Sequence, residues 1–501
     1  MAGRYFLGLD SGGTMTKAAV LDMEAKRITA TAAQKTEMLL PAPDRTEKNF
    51  EDIWQANVAV IRRVLSDTRI DPADIGGIAM TGHGNGLYLS DAEGRQTRNG
   101  IVSTDTRADR YADNCRKSGR FSLNHPKTTQ SIWGAQPPML LQWLKDNEPA
   151  ALTKTRYIFL LKDMLRFRMT GEAYSERTEM SGGHLLNNRT GDLDDSILEN
   201  YDILDLKEKI PPLRNSHDCC GRVTREVAEA TGLKAGTPVY GGIFDTAACC
   251  IGSGVVDSSL ASIIGGTWSI NQYISRTPVV EPDLFMNILY CIPGWNLVLE
   301  ASPTGASNLE WFVTKVLPDA RELCEMRGES IFTYCERRIA QSKPDSSVIF
   351  VPYIFSSHSS GVGAACFTGL KSFHGIADMV RAVYEGICFS HRYHLERLRT
   401  FGDRSERIRI SGGAGKSRVW LQMFADVIGR PVETTHGEEL GILGTLMSAL
   451  VGSGVFSGYE DAVRELVTVK DVAMPDGAVH ALYRDKFARY KELVSTHNLL
   501  I

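Results

Sequence analysis

The opening of the chain alternates short apolar runs with a glycine-rich turn, which predicts a β-hairpin. Apolar residues dominate 5–10 and 16–22, and the turn between them is Ser11-Gly12-Gly13-Thr14. Residues 50–65 carry apolar side chains at helical spacing, and the run at 75–82 is typical of a strand. A hairpin, a helix and a strand in this order predict a mixed α/β domain. A further strand is predicted at 27–33.

The same order of elements returns in the second half of the chain. Two apolar runs within 258–275 surround Gly265-Gly266-Thr267, and they are followed by a predicted helix at 376–398 and a strand at 407–413. A chain of 501 residues is also too long for one hydrophobic core. We therefore predict duplicated domains that face a central cleft. Their predicted extents are residues 1–246 and residues 247–501.

Charge and composition narrow the class of protein. The net charge of −4 gives no basic surface for nucleic acid, and no apolar run reaches the length of about eighteen residues that a membrane span needs. We therefore expect neither a nucleic acid nor a membrane as partner. The ten cysteines lack the spacing of zinc sites or of a disulfide framework, so we expect free thiols in a reducing cytoplasm. The sequence leaves a homodimer open.

The turn of the first hairpin has the composition of a phosphate-binding loop. The backbone N–H groups of Gly12 and Gly13, supported by the Thr14 hydroxyl, could approach phosphate oxygens closely because no Cβ intrudes. A carboxylate at Asp10 would repel phosphate unless a divalent cation lay between them, which makes Asp10 a candidate for the Mg²⁺ side of such a site. Lys17 would add positive charge. Aspartate and glycine are also ordinary turn formers, and that alternative stays open.

A second glycine turn lies in SGGAGKS at 411–417. It is not a Walker A loop, because that motif needs a glycine where Ile410 stands. The turn lies between a predicted strand and a predicted helix, where a glycine backbone suits a flat ligand such as adenine. A plain strand-to-helix turn is the other interpretation.

A single carboxylate, Asp245, interrupts the apolar stretch at 239–250. A carboxylate among apolar neighbours is costly unless it is paired or functional. Asp245 is therefore a candidate general base that accepts a hydroxyl proton, and a helix N-cap is its structural alternative. The ordinary pKa of an aspartate leaves it ionised at neutral pH, so this role needs no raised pKa.

Taken together, these stretches resemble the FGGY family of carbohydrate kinases, which shares the duplicated ATPase core of actin and hexokinase. The resemblance covers nearly the whole chain, from G-L-D-S-G-G-T-x-T-K at the start, through D-x-L-x-x-x-x-T-G-E at 163–172 and G-G-x-F-D at 241–245, to 411–426. It implies a ribonuclease-H-like α/β fold and ATP-dependent phosphorylation of a sugar. It makes Asp245 the catalytic base and directs Asp10 toward Mg²⁺. The other implied nucleotide-side residues are Gly12, Gly13, Thr14, Lys17, Gly266, Thr267, Gly412, Gly413 and Ala414.

Within the family, the phrases TGHGNGLYL and EASPTGASNLEWF are most similar to those of L-xylulose kinases. This implies transfer to the terminal hydroxyl of a ketopentose, with erythritol or another pentulose or polyol as the alternative. The implied sugar-side residues are His83, Asn85, Asp105, Trp133 and Asp245. The structural alternatives are a paired loop histidine for His83, a helix N-cap for Asp105 and helix-face packing for Trp133. A rival of another class is a non-catalytic, actin-like ATP-binding switch.

Overall fold

The computed structural model describes residues 3–358 and 363–497. The chain folds into two compact units, each assembled from separate segments. The first unit comprises Met1–Val256, Ile274–Val298 and Glu439–Val467, and the second comprises Asp257–Tyr273, Leu299–Glu438 and Thr468–Ile501. The domain boundary expected after residue 246 stays a prediction.

Strands and helices are interspersed along the described part of the chain. The strands are β1 (Tyr5–Ser11), β2 (Met15–Asp22), β3 (Arg27–Lys35), β4 (Leu39–Ala42), β5 (Arg45–Lys48), β6 (Ile75–Gly82), β7 (Tyr88–Ser90), β8 (Gly100–Ile101), β9 (Tyr157–Phe159), β10 (Ser175–Glu176), β11 (Leu186–Asn187), β12 (Asp192–Leu193), β13 (Leu213–Arg214), β14 (Cys219–Arg222), β15 (Pro238–Tyr240), β16 (Leu260–Gly265), β17 (Ser269–Ser275), β18 (Met286–Leu289), β19 (Asn296–Ser302), β20 (Ile349–Val351), β21 (Cys366–Thr368), β22 (Arg407–Ser411), β23 (Val432–Thr435) and β24 (Val469–Ala473). The helices are α1 (Phe50–Thr68), α2 (Asp109–Lys117), α3 (Arg120–Thr128), α4 (Pro137–Asn147), α5 (Pro149–Lys154), α6 (Leu161–Thr170), α7 (Arg177–Gly182), α8 (Asp195–Asn200), α9 (Arg225–Thr231), α10 (Asp245–Gly252), α11 (Ser307–Lys315), α12 (Pro318–Met326), α13 (Ile331–Ile339), α14 (Ile376–Thr400), α15 (Arg418–Ile428), α16 (Leu440–Gly452), α17 (Tyr459–Leu466) and α18 (Gly477–His497).

The predicted elements of the first half are confirmed. The strands expected at 5–10, 16–22, 27–33 and 75–82 are β1, β2, β3 and β6, and the helix expected at 50–65 is α1. Helix α1 begins after Asn49, whose side chain accepts the backbone N–H groups of Glu51 and Asp52. Its buried face, which includes Trp54 and Ile61, belongs to the core that covers the first sheet.

The central sheet of the first unit gathers three loops at one edge. Its strand order is β14-β15-β6-β1-β2-β3, and β1, β6 and β15 are parallel neighbours. Parallel strands present their carboxyl ends at the same edge of a sheet, which is where open α/β sheets bind ligands. The loops that leave these strands contain the turn at 12–14, the segment at 83–85 and the segment at 241–245.

Two glycines allow α16 to pack closely on α10 in the first unit. A Cβ at Gly444 would lie 1.9 Å from the carbonyl oxygen of Ala248, and a Cβ at Gly252 would lie 2.0 Å from that of Leu440. Atoms cannot approach so closely, so only glycine fits at either position. The Thr445 hydroxyl also donates to the carbonyl oxygen of Met80 in β6 at 2.9 Å. Helix α10 is thereby held at a fixed place against the sheet.

The second unit repeats this frame. Its sheet contains β17-β16-β22-β23-β24 in that order, with β16 antiparallel to β17 and parallel to β22. The hairpin turn at 266–268 and the turn at 412–417 therefore leave the sheet at one edge. The predicted second hairpin and the predicted helix α14 are confirmed. Among the residues described, no helix has both the length and the hydropathy needed to cross a membrane.

Candidate active site

Asp245 lies at the start of α10, at the loop edge of the first sheet. Phe244 occupies the N-cap position, so Asp245 is the first helical residue and not the N-cap. Its carboxylate accepts the backbone N–H of Thr246 at 2.6 Å. The segment after β6 is also close, because the backbone N–H of Gly84 favours the ionised form of the same carboxylate.

The pKa of Asp245 is higher than that of an ordinary aspartate. Burial raises the pKa of Asp245 to about 7, and the negative charge of Asp10 raises it further, while the two backbone N–H groups oppose the shift. The sequence does not show this shift of the pKa, because it reveals neither how little water reaches the carboxylate nor that a second acid lies nearby. A carboxylate that titrates near neutral pH is suited to exchange protons with a substrate.

Asp10 and Lys17 face each other across the first hairpin, and a residue far along the chain joins them. They are paired in the β1–β2 register. The Lys17 ammonium donates to both carboxylate oxygens of Glu439, at 2.8 and 3.0 Å. Burial raises the pKa of Asp10 to about 6, with Lys17 lowering it and Glu439 raising it. Sequence reasoning missed Glu439, which stands 422 residues from Lys17 and shares no local pattern with it.

The acids of this site fit a magnesium ion. Asp10 and Asp245 carry like charges close enough for one to raise the pKa of the other, and a divalent cation would relieve that repulsion. Within the described residues, no three His, Cys, Asp or Glu side chains form a complete metal site by themselves. Mg²⁺ in phosphoryl transfer is commonly held by one or two carboxylates together with substrate phosphates and water. The donor set present here is of that kind.

The first hairpin turn leaves room beside Gly13. The N–H of Gly12 donates to the carbonyl oxygen of Met15, which closes the turn at 2.9 Å. A Cβ built on Gly13 would find no atom within 4 Å, and the side chain of Thr14 is exposed. The turn therefore presents open backbone beside Asp10.

His83 and Asn85 are buried and incompletely bonded. His83 Nε2 is 2.9 Å from the Tyr88 hydroxyl, while its Nδ1 has no hydrogen-bond partner. Asn85 adopts a φ of 59°, and its Oδ1 also has no partner. Between them, a Cβ on Gly84 would lie 2.1 Å from the Phe244 ring, so glycine is required where this segment passes the start of α10. Two unpaired buried polar atoms thus flank Gly84, whose backbone N–H favours the ionised form of Asp245.

Asp105 has an environment that the sequence did not predict. It does not cap a helix, since α2 begins at Asp109. Its Oδ1 accepts the backbone N–H and the Nε of Arg107, and its Oδ2 accepts the Nη2 of Arg107 and the backbone N–H of Thr46. A carboxylate has about four lone-pair sites, and protein donors fill them all. Asp105 therefore supports its loop and has no acceptor left for a sugar hydroxyl, which corrects the expectation of a sugar contact.

Trp133 lies in the loop before α4 and not on a helix face. Its ring stacks on Phe285 with 5.4 Å between centroids and 16° between planes, and it is only partly buried. One face of the indole is thus covered and the side chain remains accessible. Trp143, in contrast, is a buried residue of α4, and the guanidinium groups of Arg45 and Arg107 lie over its ring.

The glycine turns of the second unit open into a large cavity. Its volume is about 1160 Å³, and Gly266, Thr267 and Gly413 form part of its wall. Gly412 adopts a φ of 82°, and a Cβ there would lie 2.9 Å from the carbonyl oxygen of Gly265. Ala414 is buried, and its side chain packs against Gly265. Five aromatic side chains also line this cavity: Trp311, Phe332, Phe355, Tyr384 and Trp420.

Both halves of the chain match models of one protein family. Residues 5–252 match the N-terminal domain of the FGGY family of carbohydrate kinases, and residues 261–453 match its C-terminal domain. The chain belongs to the FGGY family of carbohydrate kinases. It is therefore an ATP-dependent sugar kinase, and the rival interpretation as a non-catalytic switch was wrong.

Relatives and solved structures agree with this family. The L-xylulose/3-keto-L-gulonate kinase of Escherichia coli (strain K12) is 32% identical over 98% of this chain and 97% of its own length. The xylulose kinase of Bacillus subtilis (strain 168) is 26% identical over 98% of this chain and 96% of its own length. The crystal structure of xylulose kinase from Rhodospirillum rubrum is similar with a TM-score of 0.86, at 26% identity, over 98% of this chain and 99% of that one. The predicted duplicated ATPase fold is thereby confirmed.

Proposed function

We propose that this kinase transfers the γ-phosphoryl group of ATP to the terminal hydroxyl of a ketopentose, with L-xylulose as the preferred substrate. The observation that carries the proposal is the position of Asp245, which lies beside Gly84 with its pKa raised to about 7. The sugar itself is supported by the relative named L-xylulose/3-keto-L-gulonate kinase, which is more similar to this chain than the Bacillus xylulose kinase is.

Asp245 acts as the general base. Its carboxylate accepts the proton of the terminal hydroxyl while that oxygen attacks phosphorus, a role worth about 10²–10⁴ in rate. Because the pKa of Asp245 is about 7, only its ionised fraction is active, and that fraction falls as the pH falls below neutral. The backbone N–H of Gly84, in the segment that binds the sugar, favours the ionised form of this carboxylate.

The first hairpin receives the phosphates of ATP. Because the N–H of Gly12 closes the turn, the open backbone of Gly13 and the Thr14 hydroxyl donate to phosphate oxygens, and Lys17 adds positive charge. Asp10 would hold Mg²⁺, directly or through water, and the ion would supply charge neutralisation of the phosphate oxygens. In the second unit, Gly266 and Thr267 form the matching phosphate-side turn, and Gly413 with the aromatic wall receives the adenosine.

Unpaired polar atoms and one indole ring make the sugar site. His83 Nδ1 and Asn85 Oδ1 are buried without partners, and an unpaired buried polar group costs about 1–3 kcal/mol. Hydroxyls of the correct sugar pair with such atoms, so one misplaced hydroxyl should reduce specificity about ten- to hundredfold. Trp133 supplies an apolar wall, since one face of its ring is already covered by Phe285.

The compartment and the assembly are part of the proposal as well. All ten cysteines are free thiols, which supports a cytoplasmic location. The homodimer stays a prediction.

The specificity constants for competing sugars test the proposed substrate. ADP release should be measured side by side with L-xylulose, D-xylulose, L-ribulose and erythritol, and kcat/KM should be highest for L-xylulose. A short polyol leaves part of the polar site unpaired, so erythritol should rank below the ketopentoses. If erythritol or D-xylulose led by about tenfold, the proposed sugar would be wrong while the kinase family would stand.

A further inference from the structure

The D-x-L-x-x-x-x-T-G-E run has no role in the site described so far, yet it contributes to a cluster of buried charges. Five charged side chains in this cluster have no solvent exposure. They are Lys162, Asp163 and Arg166 of α6, Glu176 at the N-cap of α7, and Glu179 within α7. Arg166 Nη1 donates to Asp163 Oδ1 at 2.7 Å, and Lys162 Nζ donates to the same oxygen at 2.9 Å. Asp163 Oδ2 accepts the backbone N–H of Glu176, which joins the two helices.

This cluster holds the segment that leads to Asp245. Arg166 Nη1 donates to the carbonyl oxygen of Gly241 at 2.8 Å, and Lys162 Nζ approaches the same oxygen at 3.4 Å. Gly241 begins the G-G-I-F-D stretch, directly after β15. The first residue of that stretch is therefore fixed by two buried cations.

Thr178 holds the other end of the same segment. Its hydroxyl donates to Glu176 Oε2 at 2.7 Å and accepts the backbone N–H of Phe244 at 3.0 Å. Glu176 Oε1 accepts the Thr178 N–H and the Ser216 hydroxyl, so the acceptor of the Thr178 proton is itself held in place. Phe244 is the N-cap of α10 and immediately precedes Asp245.

We propose that Thr178, supported by the buried charges of α6 and α7, is a positioning residue that sets the direction of the Asp245 carboxylate. Replacing buried ion pairs with apolar side chains is often neutral or stabilising, so stability alone does not account for a buried cluster of this size. Its donors and acceptors bond to the two ends of the 241–244 segment, next to the proposed base. The inference rests on the proposed role of Asp245.

The substitution Thr178→Val tests this inference with little change in shape. Valine keeps the volume and branching of threonine, whereas substitutions of Asp163 or Arg166 leave a buried charge unpaired and endanger folding. Thr231→Val is the matched control, because Thr231 is also buried, donates to the Val227 carbonyl and accepts the backbone N–H of Leu233. Thr178→Ser, which keeps the hydroxyl, is the rescue variant.

We expect Thr178→Val to lower kcat about 10- to 100-fold with L-xylulose and ATP, because small misplacements of a reacting group have effects of that size. The KM for ATP should stay within about twofold, Thr178→Ser should recover most of kcat, and Thr231→Val should lose similar thermal stability with nearly normal kcat. Equal kcat values for the two valine variants would overturn the inference.

Backbone hydrogen exchange separates this inference from the proposed function. Because the Phe244 N–H loses its acceptor, exchange in the peptide covering 243–248 should be faster in Thr178→Val than in the wild type or in Thr231→Val. This readout needs no turnover. Unchanged exchange would contradict the positioning role, whereas failure of the wild type to phosphorylate any of the sugars would contradict only the proposed substrate.

Discussion

The two units carry the same backbone frame with different chemistry at its edge. In each, a hairpin with a glycine turn lies beside a parallel strand, so that two turns emerge together. The edge of the first unit holds Asp10, Lys17, Glu439 and Asp245, whereas the corresponding turns of the second unit border a cavity with five aromatic side chains. The fold thus provides two places for ligand loops, and the side chains at each decide between charge chemistry and recognition of a flat ring.

The largest expected effect comes from removing the charge of Asp245. Asp245→Asn should lower kcat about 100-fold or more, since it removes the proposed base, while ATP binding should change little. Rate and nucleotide affinity can be measured on the same preparation. Asp195→Asn is a suitable control because Asp195 is also the first residue of a helix in the same unit. If a well-folded Asp245→Asn enzyme kept its turnover within about threefold of the wild type, Asp245 would not be the base. The assignment of the chemistry to the edge of the first unit would then be wrong.

A smaller but distinct effect is expected at the phosphate side of the first unit. Asp10→Ala should lower kcat/KM about tenfold or more and raise the Mg²⁺ concentration needed for half-maximal rate, because Asp10 is the proposed metal-side carboxylate. Sugar affinity, measured separately by calorimetry, should be retained. Loss of sugar binding with an unchanged Mg²⁺ dependence would assign Asp10 to a different role.

The second unit should respond through nucleotide affinity. Gly412 has φ 82° and ψ −165°, a conformation that costs other residues about 1–3 kcal/mol. Gly412→Ala should therefore displace the turn beside the cavity and raise the KM for ATP up to about tenfold, with the KM for the sugar unchanged. Gly437→Ala is the control, because Gly437 has a φ of 93° but open space around its Cβ position. A similar KM for ATP in both variants would separate the Gly412 turn from nucleotide binding.

The smallest effect concerns stability and pH. The pKa of Asp245 is about 7 and that of Asp10 about 6, both above the unfolded value of about 4. The folded protein therefore binds more protons than the unfolded chain between about pH 4 and 7, and these groups make stability fall as the pH rises through that window. Asp245→Asn should raise the melting temperature at about pH 8 and give little change near pH 4. A lower melting temperature at pH 8 would show that the ionised carboxylate stabilises the fold.

The sequence predicted what depends on local pattern. The hairpins, α1, α14 and the exposed glycine turns follow from apolar periodicity and from glycine, so they were found where expected. Glu439 and the cluster around Asp163 were missed because their partners are distant in sequence or lie on different helices. The pairing of Asp105 with Arg107 was missed as well, since charged residues are mostly exposed and the sequence does not show that both of these are buried.

The pH dependence of kcat/KM is the most direct test of the claim that the charged edge of the first unit performs the chemistry. This ratio reports the pKa of the base in the free enzyme. It should fall about tenfold per pH unit below about pH 7 in the wild type, and Asp10→Asn should move the fall to lower pH because the Asp10 charge raises the pKa of Asp245. A profile that is flat between about pH 5 and 8, or one that keeps the same fall in Asp245→Asn, would contradict the claim.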